Sequence, residues 1–437
     1  MSVVVQNSRG WVLDARSLID QGCERCVRYK DNYKSHVKCC FKKQCFQILQ
    51  SHYSVNASAV LENGNEGVVQ KTVKPSKKRK RKHSELNNGE IDLQVSHEKI
   101  RSVIMEGTKS LVDSAQSLGY LNGVIDTVKG PVPPEECRLA ALCEMAKELP
   151  LVDNEEQEES VQSLVAADGS TSHVDLFSRV TENKGDSAAV ATLMGEDYVI
   201  PRHTAFLLSD FTQMQPLVYY GKKYDLIVMD PPWENKSVKR SRRYSFLPSS
   251  QLKRLPIPLL ASSNCLVVTW VTNRPSHLRF VRDELYPHWG VDFVAEWFWV
   301  KVTTSGQFVF PLDSPHKKPY EVLVLGRYRS STDSSLSSSE TSKLPVPEDQ
   351  RLIVSVPSAL HSQKPSLSEV LKSYIGAEAK CLELFARNLQ PGWTSWGNEV
   401  LKFQHTNYFT VTPADDPADK EDTHAHTSNS AKEQSLS

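Results

Sequence analysis

Near Asp197 the spacing of hydrophobic residues changes, and short apolar runs begin to alternate with segments of helical spacing. The apolar runs predict seven strands, at 204–208, 226–229, 265–271, 291–302, 320–326, 352–355 and 381–385. Helices are predicted at 248–254, 276–286 and 366–375. This alternation predicts an α/β domain over residues 195–412, with a mainly parallel sheet covered on both faces. The Ser/Thr-rich stretch 330–345 is predicted to be a disordered insertion in that domain.

The first half of the chain shows weaker patterns. Residues 1–55 alternate apolar and polar groups, which indicates packed structure without showing its fold. Apolar positions at helical spacing in 96–121 and 134–149 predict a small helical accessory region over 96–152. The polar stretches 56–95, 153–194 and 413–437 are predicted to be a disordered basic linker, an acidic linker and a disordered tail. The N-terminal region is therefore expected to be smaller than the α/β domain and mostly helical or irregular.

The predicted strand 226–229 runs into Asp230-Pro231-Pro232-Trp233. Two prolines can neither extend a sheet nor continue as a helix, so the strand must stop and present Asp230 at its carboxyl end. Ligands bind at that edge of open α/β sheets. The carboxylate can accept a hydrogen bond from an exocyclic amine, the carbonyl of Pro231 can accept a second, and Trp233 can cover the ring. The alternative, a strand end capped by a proline turn over a buried Trp, leaves the carboxylate without a purpose.

This acceptor box (residues 230–233), with Tyr244 and Leu255-Pro256-Ile257-Pro258 after it, resembles the eukaryotic adenine-N6 methyltransferases that carry a DPPW signature. The long runs 235–241 and 310–320 strengthen the resemblance, which covers about residues 195–412. It implies a Rossmann-like methyltransferase domain that uses S-adenosylmethionine to methylate N6 of adenosine in RNA. The implied target is 2′-O-methyladenosine in small nuclear RNA of the U2 type, with adenine in DNA as the runner-up. The alternative from another class is a methyltransferase-like scaffold that binds RNA without turnover.

The resemblance also implies where the methyl donor binds. The best candidate for the cofactor strand, 382–388, follows the acceptor box, so the motif order is permuted relative to many such enzymes. Its exit has Ala386 and Arg387 where a loop of small residues is usual. The residues that match the family's cofactor site are Asp210 and Phe211 at the adenine, Lys318 at the methionine end, and Arg387, Asn388, Asn398 and Glu399 around the ribose and carboxylate. A turn cap after Gly397 is the alternative role for Asn398.

A basic loop follows the acceptor box. Its five cations are Lys236, Lys239, Arg240, Arg242 and Arg243. A phosphate backbone needs positive charge at this place and a small-molecule pocket does not, so the loop is predicted to bind nucleic acid. Tyr244 matches a substrate-side tyrosine of the family, and Asn235 is assigned to the substrate side with it. A solvated basic loop is the alternative. No metal is predicted, because the sulfonium of S-adenosylmethionine is already an activated leaving group.

Composition bears on compartment and partners. The 437-residue chain has 52 Lys plus Arg and 52 Asp plus Glu, so its net charge favours no partner. The dense basic run 74–82 is predicted to bind a nuclear import receptor, with a solvated charge run as the alternative. The expected location is the nucleus, and the cytosol and mitochondrion are further candidates. The chain has no run of eighteen apolar residues and no signal-peptide pattern, which predicts a soluble, non-secreted protein without membrane contact. It is expected to act as a monomer.

Five of the nine cysteines lie between Cys23 and Cys45. The group Cys23, Cys26, His36 and Cys39 consists of residue types that zinc accepts, but its spacing shows no repeated Cys-x-x-Cys knuckle. Reduced, partly buried thiols are the interpretation that the sequence favours. The remaining cysteines stand in apolar contexts and are expected in the core: Cys137, Cys143, Cys265 and Cys381.

Overall fold

The structure is a computed structural model of the chain. It describes residues 2–30, 33–49, 88–123, 160–166, 171, 174–234, 248–314, 317–329 and 344–414. Within them the strands are β1 (Val3–Asn7), β2 (Gly10–Leu13), β3 (Cys26–Lys30), β4 (Tyr33–Phe41), β5 (Val161–Ser163), β6 (Val180–Asn183), β7 (Ala188–Leu193), β8 (Glu196–Ile200), β9 (Thr204–Leu207), β10 (Tyr224–Met229), β11 (Ala261–Val271), β12 (Val291–Lys301), β13 (Tyr320–Tyr328), β14 (Leu352–Ser355), β15 (Cys381–Leu384), β16 (Trp393–Trp396) and β17 (Phe409–Pro413).

The α-helices are short apart from the second: α1 (Ala15–Gln21), α2 (Asn88–Ser117), α3 (Gln215–Tyr219), α4 (Ile257–Leu260), α5 (Pro275–Arg279), α6 (Tyr286–His288) and α7 (Ser368–Leu371). A π-helix, Phe280–Leu285, joins α5 to α6. The predicted helix at 276–286 is therefore present as a continuous α–π–α segment. The 3-10 helices are Lys43–Phe46, Ser249–Arg254, Lys372–Tyr374, Lys402–Gln404 and Thr406–Tyr408.

The main sheet has twelve strands in the order β1-β2-β14-β12-β13-β11-β10-β15-β16-β9-β6-β5. Its centre is parallel, because β11, β10, β15, β16 and β9 pair side by side in one direction. β13 runs antiparallel between β11 and β12. All seven predicted strands are present, and the prediction of an α/β domain around a mainly parallel sheet is confirmed.

Each central strand is buried on both faces. Along β10, Ile227 and Met229 join one apolar cluster, while Leu226 and Val228 join a second cluster on the opposite face. Full burial of both alternating sets is typical of a parallel strand between two layers. The predicted cofactor strand, β15, pairs with β10 although four strands separate the two in the chain. The acceptor and cofactor strands are therefore neighbours, in permuted order.

The N-terminal residues do not form the helical or irregular region that was predicted. β1 and β2 make a hairpin, and β2 extends the main sheet by pairing with β14. Gly10 permits this contact, because a Cβ there would lie 1.9 Å from the carbonyl oxygen of Leu352. At the other end of the sheet, β5 and β6 lie in the stretch predicted to be an acidic linker. The local pattern did not reveal β2 as a strand of the main sheet because its partner there, β14, lies far away in the chain.

Helix α2 confirms the helix predicted at 96–121, with different bounds. It begins at Asn88, inside the stretch predicted to be a linker. Its residues Ile104 and Leu111 pack with β12 and β14 in one buried cluster. Arg101 of the same helix donates to both carboxylate oxygens of Asp313, at 2.7 and 2.9 Å. The helix therefore belongs to the main core rather than to a separate accessory domain, which corrects the prediction.

A second sheet, in the order β17-β4-β3-β7-β8, joins N-terminal strands to the end of the described chain. Cys23, Cys26 and Cys39 are free thiols in its core. His36 is exposed and lies three residues from Cys39 on β4, so the two side chains point to opposite faces. Among the residues described, no group of three or more His, Cys, Asp or Glu could hold a metal ion.

Two further predictions concern burial and membrane contact. Cys265 and Cys381 are buried, as predicted, whereas Cys137 and Cys143 lie outside the described residues. The predicted helix at 134–149 and the basic run 74–82 also lie outside them. In the part of the chain that is described, no helix is long and apolar enough to cross a membrane.

Candidate active site

The acceptor box begins where β10 leaves the sheet between β11 and β15. The backbone N–H of Asp230 donates to the Leu384 carbonyl at 3.3 Å, which keeps the loop beside the end of β15. The N–H of Trp233 donates to the Pro231 carbonyl at 2.8 Å and closes a tight turn. Asp230 therefore lies at the carboxyl edge of the parallel centre, where open α/β sheets bind ligands.

Trp233 is built into the core rather than standing at the mouth of the site. Its side chain is 7% exposed, and the indole N–H donates to the Trp270 carbonyl at 2.8 Å. The ring of His277 stacks on it with centroids 4.9 Å apart. Burial lowers the pKa of His277 to about 4, so this imidazole is neutral at pH 7. One face of the indole is therefore covered by protein and is closed to a base.

Asp230 carries two cationic neighbours on a single oxygen. Nη1 of Arg387 donates to Oδ2 at 2.6 Å, and Nζ of Lys364 lies 3.7 Å from the same atom. No described residue donates a hydrogen bond to Oδ1. Two cations thus contact the carboxylate on one side, and its second oxygen remains available as an acceptor.

Arg387 connects the acceptor carboxylate to the loop after β16. Its Nε donates to Oε2 of Glu399 at 3.1 Å, and Nζ of Lys402 donates to Oε1 of that residue, also at 3.1 Å. Burial alone disfavours the charged guanidinium, but Asp230 and Glu399 outweigh it and the pKa of Arg387 is raised. Both oxygens of Glu399 are engaged in this network, so the carboxylate predicted at the cofactor is already paired.

Lys364 belongs to a second ionic group at the same edge. Its Nζ lies 2.6 Å from Oε2 of Glu321, and Lys301 binds the other oxygen of that carboxylate. The ammonium also lies over the rings of Trp270 and Trp299, at 5.4 and 5.9 Å from their centroids. Burial favours the neutral acid at Glu321, yet the two lysines outweigh it and lower the pKa of this carboxyl. Glu321 is therefore ionised, and it anchors the ammonium near Asp230.

The predicted cofactor residues surround this edge with unused polar groups. Lys318 is buried, and its ammonium donates to the Leu312 carbonyl at 3.3 Å, which leaves donors for a ligand. Burial lowers the pKa of Lys318. The half-buried amides of Asn388 and Asn398 make no hydrogen bond to any residue that the structure describes. These groups suit a ligand that presents hydroxyls and a carboxylate.

The loops at the exits of β9, β15 and β16 bring these residues together. Asp210 is buried after β9, and its Oδ1 accepts from the Thr212 N–H at 3.1 Å. Phe211 packs against the adjacent apolar cluster. Gly397 lies so close to the β15 exit that a Cβ would meet the Ala386 carbonyl oxygen at 3.0 Å. The turn after β15 has no glycine, as the sequence indicated. Phe385 adopts the left-handed backbone conformation there, with a φ of 58°.

The residues predicted on the substrate side lie in 235–247, outside the described residues: Asn235, Lys236, Lys239, Arg240, Arg242, Arg243 and Tyr244. Their assignment to the nucleic acid stays a prediction.

Sequence reasoning missed Lys364, Glu321, Lys301, His277 and Glu383. Two of them could have been found from the sequence: Glu321 in β13 and Glu383 in β15 are charged residues inside apolar strands. A charged residue in such a position is seldom buried without a partner. Lys364 lies in an irregular segment before α7, and nothing in its local sequence distinguishes it.

Comparison with known proteins agrees with this geometry. Residues 224–399 match the MT-A70 family model. The chain is 45% identical over 469 residues to the N(6)-adenine-specific methyltransferase METTL4 of Homo sapiens, covering 94% of this chain and 98% of the human protein. It is 33% identical over 231 residues to the N6-methyladenosine RNA methyltransferase MTA1 of Pyricularia oryzae, covering 51% of this chain and 59% of that relative. It is 34% identical over 218 residues to the DNA N6-methyl methyltransferase of Caenorhabditis elegans, covering 49% of this chain and 56% of that relative. The chain therefore belongs to the MT-A70 family and is an S-adenosylmethionine-dependent adenine-N6 methyltransferase.

Proposed function

We propose that the chain methylates N6 of adenosine in RNA and that its preferred target is 2′-O-methyladenosine in small nuclear RNA. The observation that carries the adenosine assignment is the open Oδ1 of Asp230, an anionic acceptor whose other oxygen is already bound by Arg387. The RNA assignment is supported by the similarity to the fungal N6-methyladenosine RNA methyltransferase MTA1 and by the five cations that follow the acceptor box.

In the proposed mechanism Asp230 acts as an acceptor and a positioning anion. Its Oδ1 accepts one N–H of the adenine amine, and the Pro231 carbonyl, which already accepts from Trp233, uses its second lone pair for the other. The lone pair of the amine nitrogen is then fixed in direction. When bound, S-adenosylmethionine supplies an electrophilic methyl group on a sulfonium sulfur. Orientation of this kind is worth roughly 7 to 11 kcal/mol when the geometry is right.

The cofactor assignment follows the unused polar groups. Lys318 would bind the carboxylate at the methionine end, and the amides of Asn388 and Asn398 would bind ribose hydroxyls. Asp210 and Phe211 would contact the adenine of the cofactor. We propose that Arg387 and Glu399 support this side indirectly, because their charged groups already bind Asp230 and Lys402.

The polymer is tested with three matched oligonucleotides of one sequence: RNA with the target 2′-O-methyladenosine, RNA with adenosine, and DNA. Methyl transfer from labelled S-adenosylmethionine to each is measured as kcat/KM. A pocket that binds the extra methyl group should favour the first RNA by roughly 10- to 200-fold. Equal rates on both RNAs would remove the small nuclear RNA assignment. Faster transfer to DNA would favour the second candidate substrate, adenine in DNA, which rests on the similarity to the C. elegans DNA N6-methyl methyltransferase.

We also propose that the chain acts as a monomer and that the basic run 74–82 binds a nuclear import receptor. Replacing its lysines and arginines with alanine should move a fluorescent fusion out of the nucleus. The purified variant should keep its rate, because the run lies far in sequence from the proposed site residues. Unchanged nuclear accumulation would show that another signal operates.

A further inference from the structure

Helix α2 contacts both sides of the loop that joins β12 to β13. On the side that follows β12, both carboxylate oxygens of Asp313 accept from Arg101, at 2.7 and 2.9 Å. On the side that leads into β13, the hydroxyl oxygen of Tyr320 lies 3.0 Å from Nδ1 of His97. The other ring nitrogen of His97 lies 3.4 Å from Oδ1 of Asp313. Two side chains one turn apart on one helix face therefore join the two sides of the loop.

One of these contacts is buried and the other lies at the surface. His97 and Tyr320 are each 3% exposed, and their rings stack with centroids 5.9 Å apart. The side chains of Arg101 and Asp313 are 35% and 61% exposed, but the guanidinium fork matches the carboxylate with two hydrogen bonds. The surface contact can therefore be changed without opening the core.

Lys318 depends on both sides of this loop. It lies two residues before Tyr320, and its ammonium donates across the loop to the Leu312 carbonyl at 3.3 Å. The lysine is 9% exposed, and Asp313 acts on its charge from the side that follows β12. The place of the ammonium is thus set by the spacing of the two sides, which the contacts with α2 hold.

We infer that α2 is part of the cofactor site: through Arg101 and His97 it positions Lys318 for the carboxylate of S-adenosylmethionine. The inference rests on the proposed role of Lys318. It extends that role to a helix that does not touch the ligand in this scheme, so Arg101 and His97 are positioning residues. A side chain that is already held in its binding position loses less conformational freedom when the ligand binds.

The experiment is a double-mutant cycle on S-adenosylmethionine affinity, measured by calorimetry in the full chain. Arg101→Gln should weaken binding about 5- to 10-fold, within the range of coupling in one hydrogen-bond network. In the Lys318→Met background the same substitution should change the affinity less than about twofold, because the group that it positions is absent. Arg101→Lys keeps the charge beside Asp313 and should bind within about threefold of the wild type.

His97→Phe tests the buried contact without a change of charge. Burial and the nearby ammonium of Lys318 lower the pKa of His97, so the imidazole is neutral at pH 7. This variant should also weaken S-adenosylmethionine binding, and the effect should again vanish in the Lys318→Met background. Lys99→Gln removes an exposed cation of the same helix and should bind normally.

A merely structural role for α2 makes a different prediction. Arg101→Gln would then lower the affinity by the same factor with and without Lys318, together with the melting temperature, and that result would overturn the inference. Wild-type affinity of Arg101→Gln beside an impaired Lys318→Met would overturn it too. Wild-type affinity of Lys318→Met would instead refute the proposed cofactor assignment of Lys318, and the inference with it.

Discussion

Two glutamates lie in apolar strands of the same sheet, yet different groups bind their carboxyl oxygens. Glu321 is the second residue of β13. Lys301 and Lys364 bind its two oxygens, and these cations lower its pKa. Glu383 lies inside β15 with an amide partner, as Nε2 of Gln390 donates to its Oε2 at 2.8 Å. Burial raises the pKa of Glu383 to about 7. The charge of a strand carboxylate is therefore set by which side chains from distant segments reach it.

The largest effect is expected from a substitution of Asp230, which is also a carboxylate bound by cations. In Asp230→Asn the amide oxygen can still accept from Arg387, but the NH2 group then faces the adenine amine with a donor in place of an acceptor. We expect methyl transfer to fall about a thousandfold or more while the affinity for S-adenosylmethionine is retained. Rates and cofactor binding of the purified variant check this.

The single variant Asp230→Asn tests the role of the carboxylate more directly than a double variant that also contains Trp233→Ala. Trp233 is 7% exposed and packs in the main core, so its truncation would leave a cavity at a cost of about 3 to 5 kcal/mol. Loss of activity in the double variant would then report on folding. Near-normal turnover by Asp230→Asn would show that the amine is held elsewhere.

The substitution Glu383→Gln tests the carboxyl group whose partner is an amide. Since the pKa of Glu383 is about 7 in the folded chain against an ordinary 4.5, the folded state keeps a proton that the unfolded state releases between these values. The free energy of unfolding of the wild type therefore falls as pH rises from 4.5 to 7. Glutamine keeps the acceptor for Gln390 without titrating, so its stability relative to wild type should rise by roughly 2 to 3 kcal/mol from pH 5 to pH 8.

The matched control is Glu321→Gln. The pKa of Glu321 is lowered, so the stability it contributes is fully present above 4.5 and is lost only as pH falls below that value. The difference between wild type and Glu321→Gln should stay constant between pH 5 and pH 8 in denaturant titrations. A constant difference for Glu383→Gln as well would mean that Glu383 is ionised in the fold.

These glutamates also show where sequence reasoning stops. The strand that leads to Asp230, the turn at its two prolines and the strand β15 follow from local pattern and chain stereochemistry, and all are present. The pairing of Lys364 with Glu321 joins segments 43 residues apart. No spacing rule predicts such a contact, because it depends on the folded path of an irregular segment. The pairing of β2 with β14 was hidden for the same reason.

Lys318 extends the comparison to the cofactor side, because no carboxylate among the described residues lies within hydrogen-bond distance of its ammonium. The ammonium of Lys318 binds the Leu312 carbonyl, and in the proposed function its remaining donors bind the cofactor carboxylate. Lys318→Met should weaken S-adenosylmethionine binding about 10- to 100-fold, as expected for a lost hydrogen bond to a charged group. The neighbouring exposed Lys317→Met is the control and should bind normally. Equal affinities in calorimetric titrations would exclude Lys318 from the cofactor site.

The smallest expected effect belongs to the basic loop, whose charges are predicted to act on binding and not on the chemical step. If Arg242 and Arg243 contact phosphates, each contact releases counterions, and log affinity for single-stranded RNA falls with log salt by about 0.7 per contact. Changing both to alanine should flatten that slope by about one to two units and raise KM for RNA. It should leave kcat and S-adenosylmethionine affinity unchanged.

Two exposed lysines of α2, Lys99 and Lys109, provide a control of equal charge. Their double alanine variant should keep the wild-type slope, because a loss of net charge far from a phosphate releases no bound counterion. RNA titrations at several salt concentrations compare the three proteins. If the loop variant and the control give the same slope as the wild type, Arg242 and Arg243 are solvated. The phosphate backbone must then cross another surface of the enzyme, and the exposed cations of β4, Lys34 and Lys38, are the next to replace.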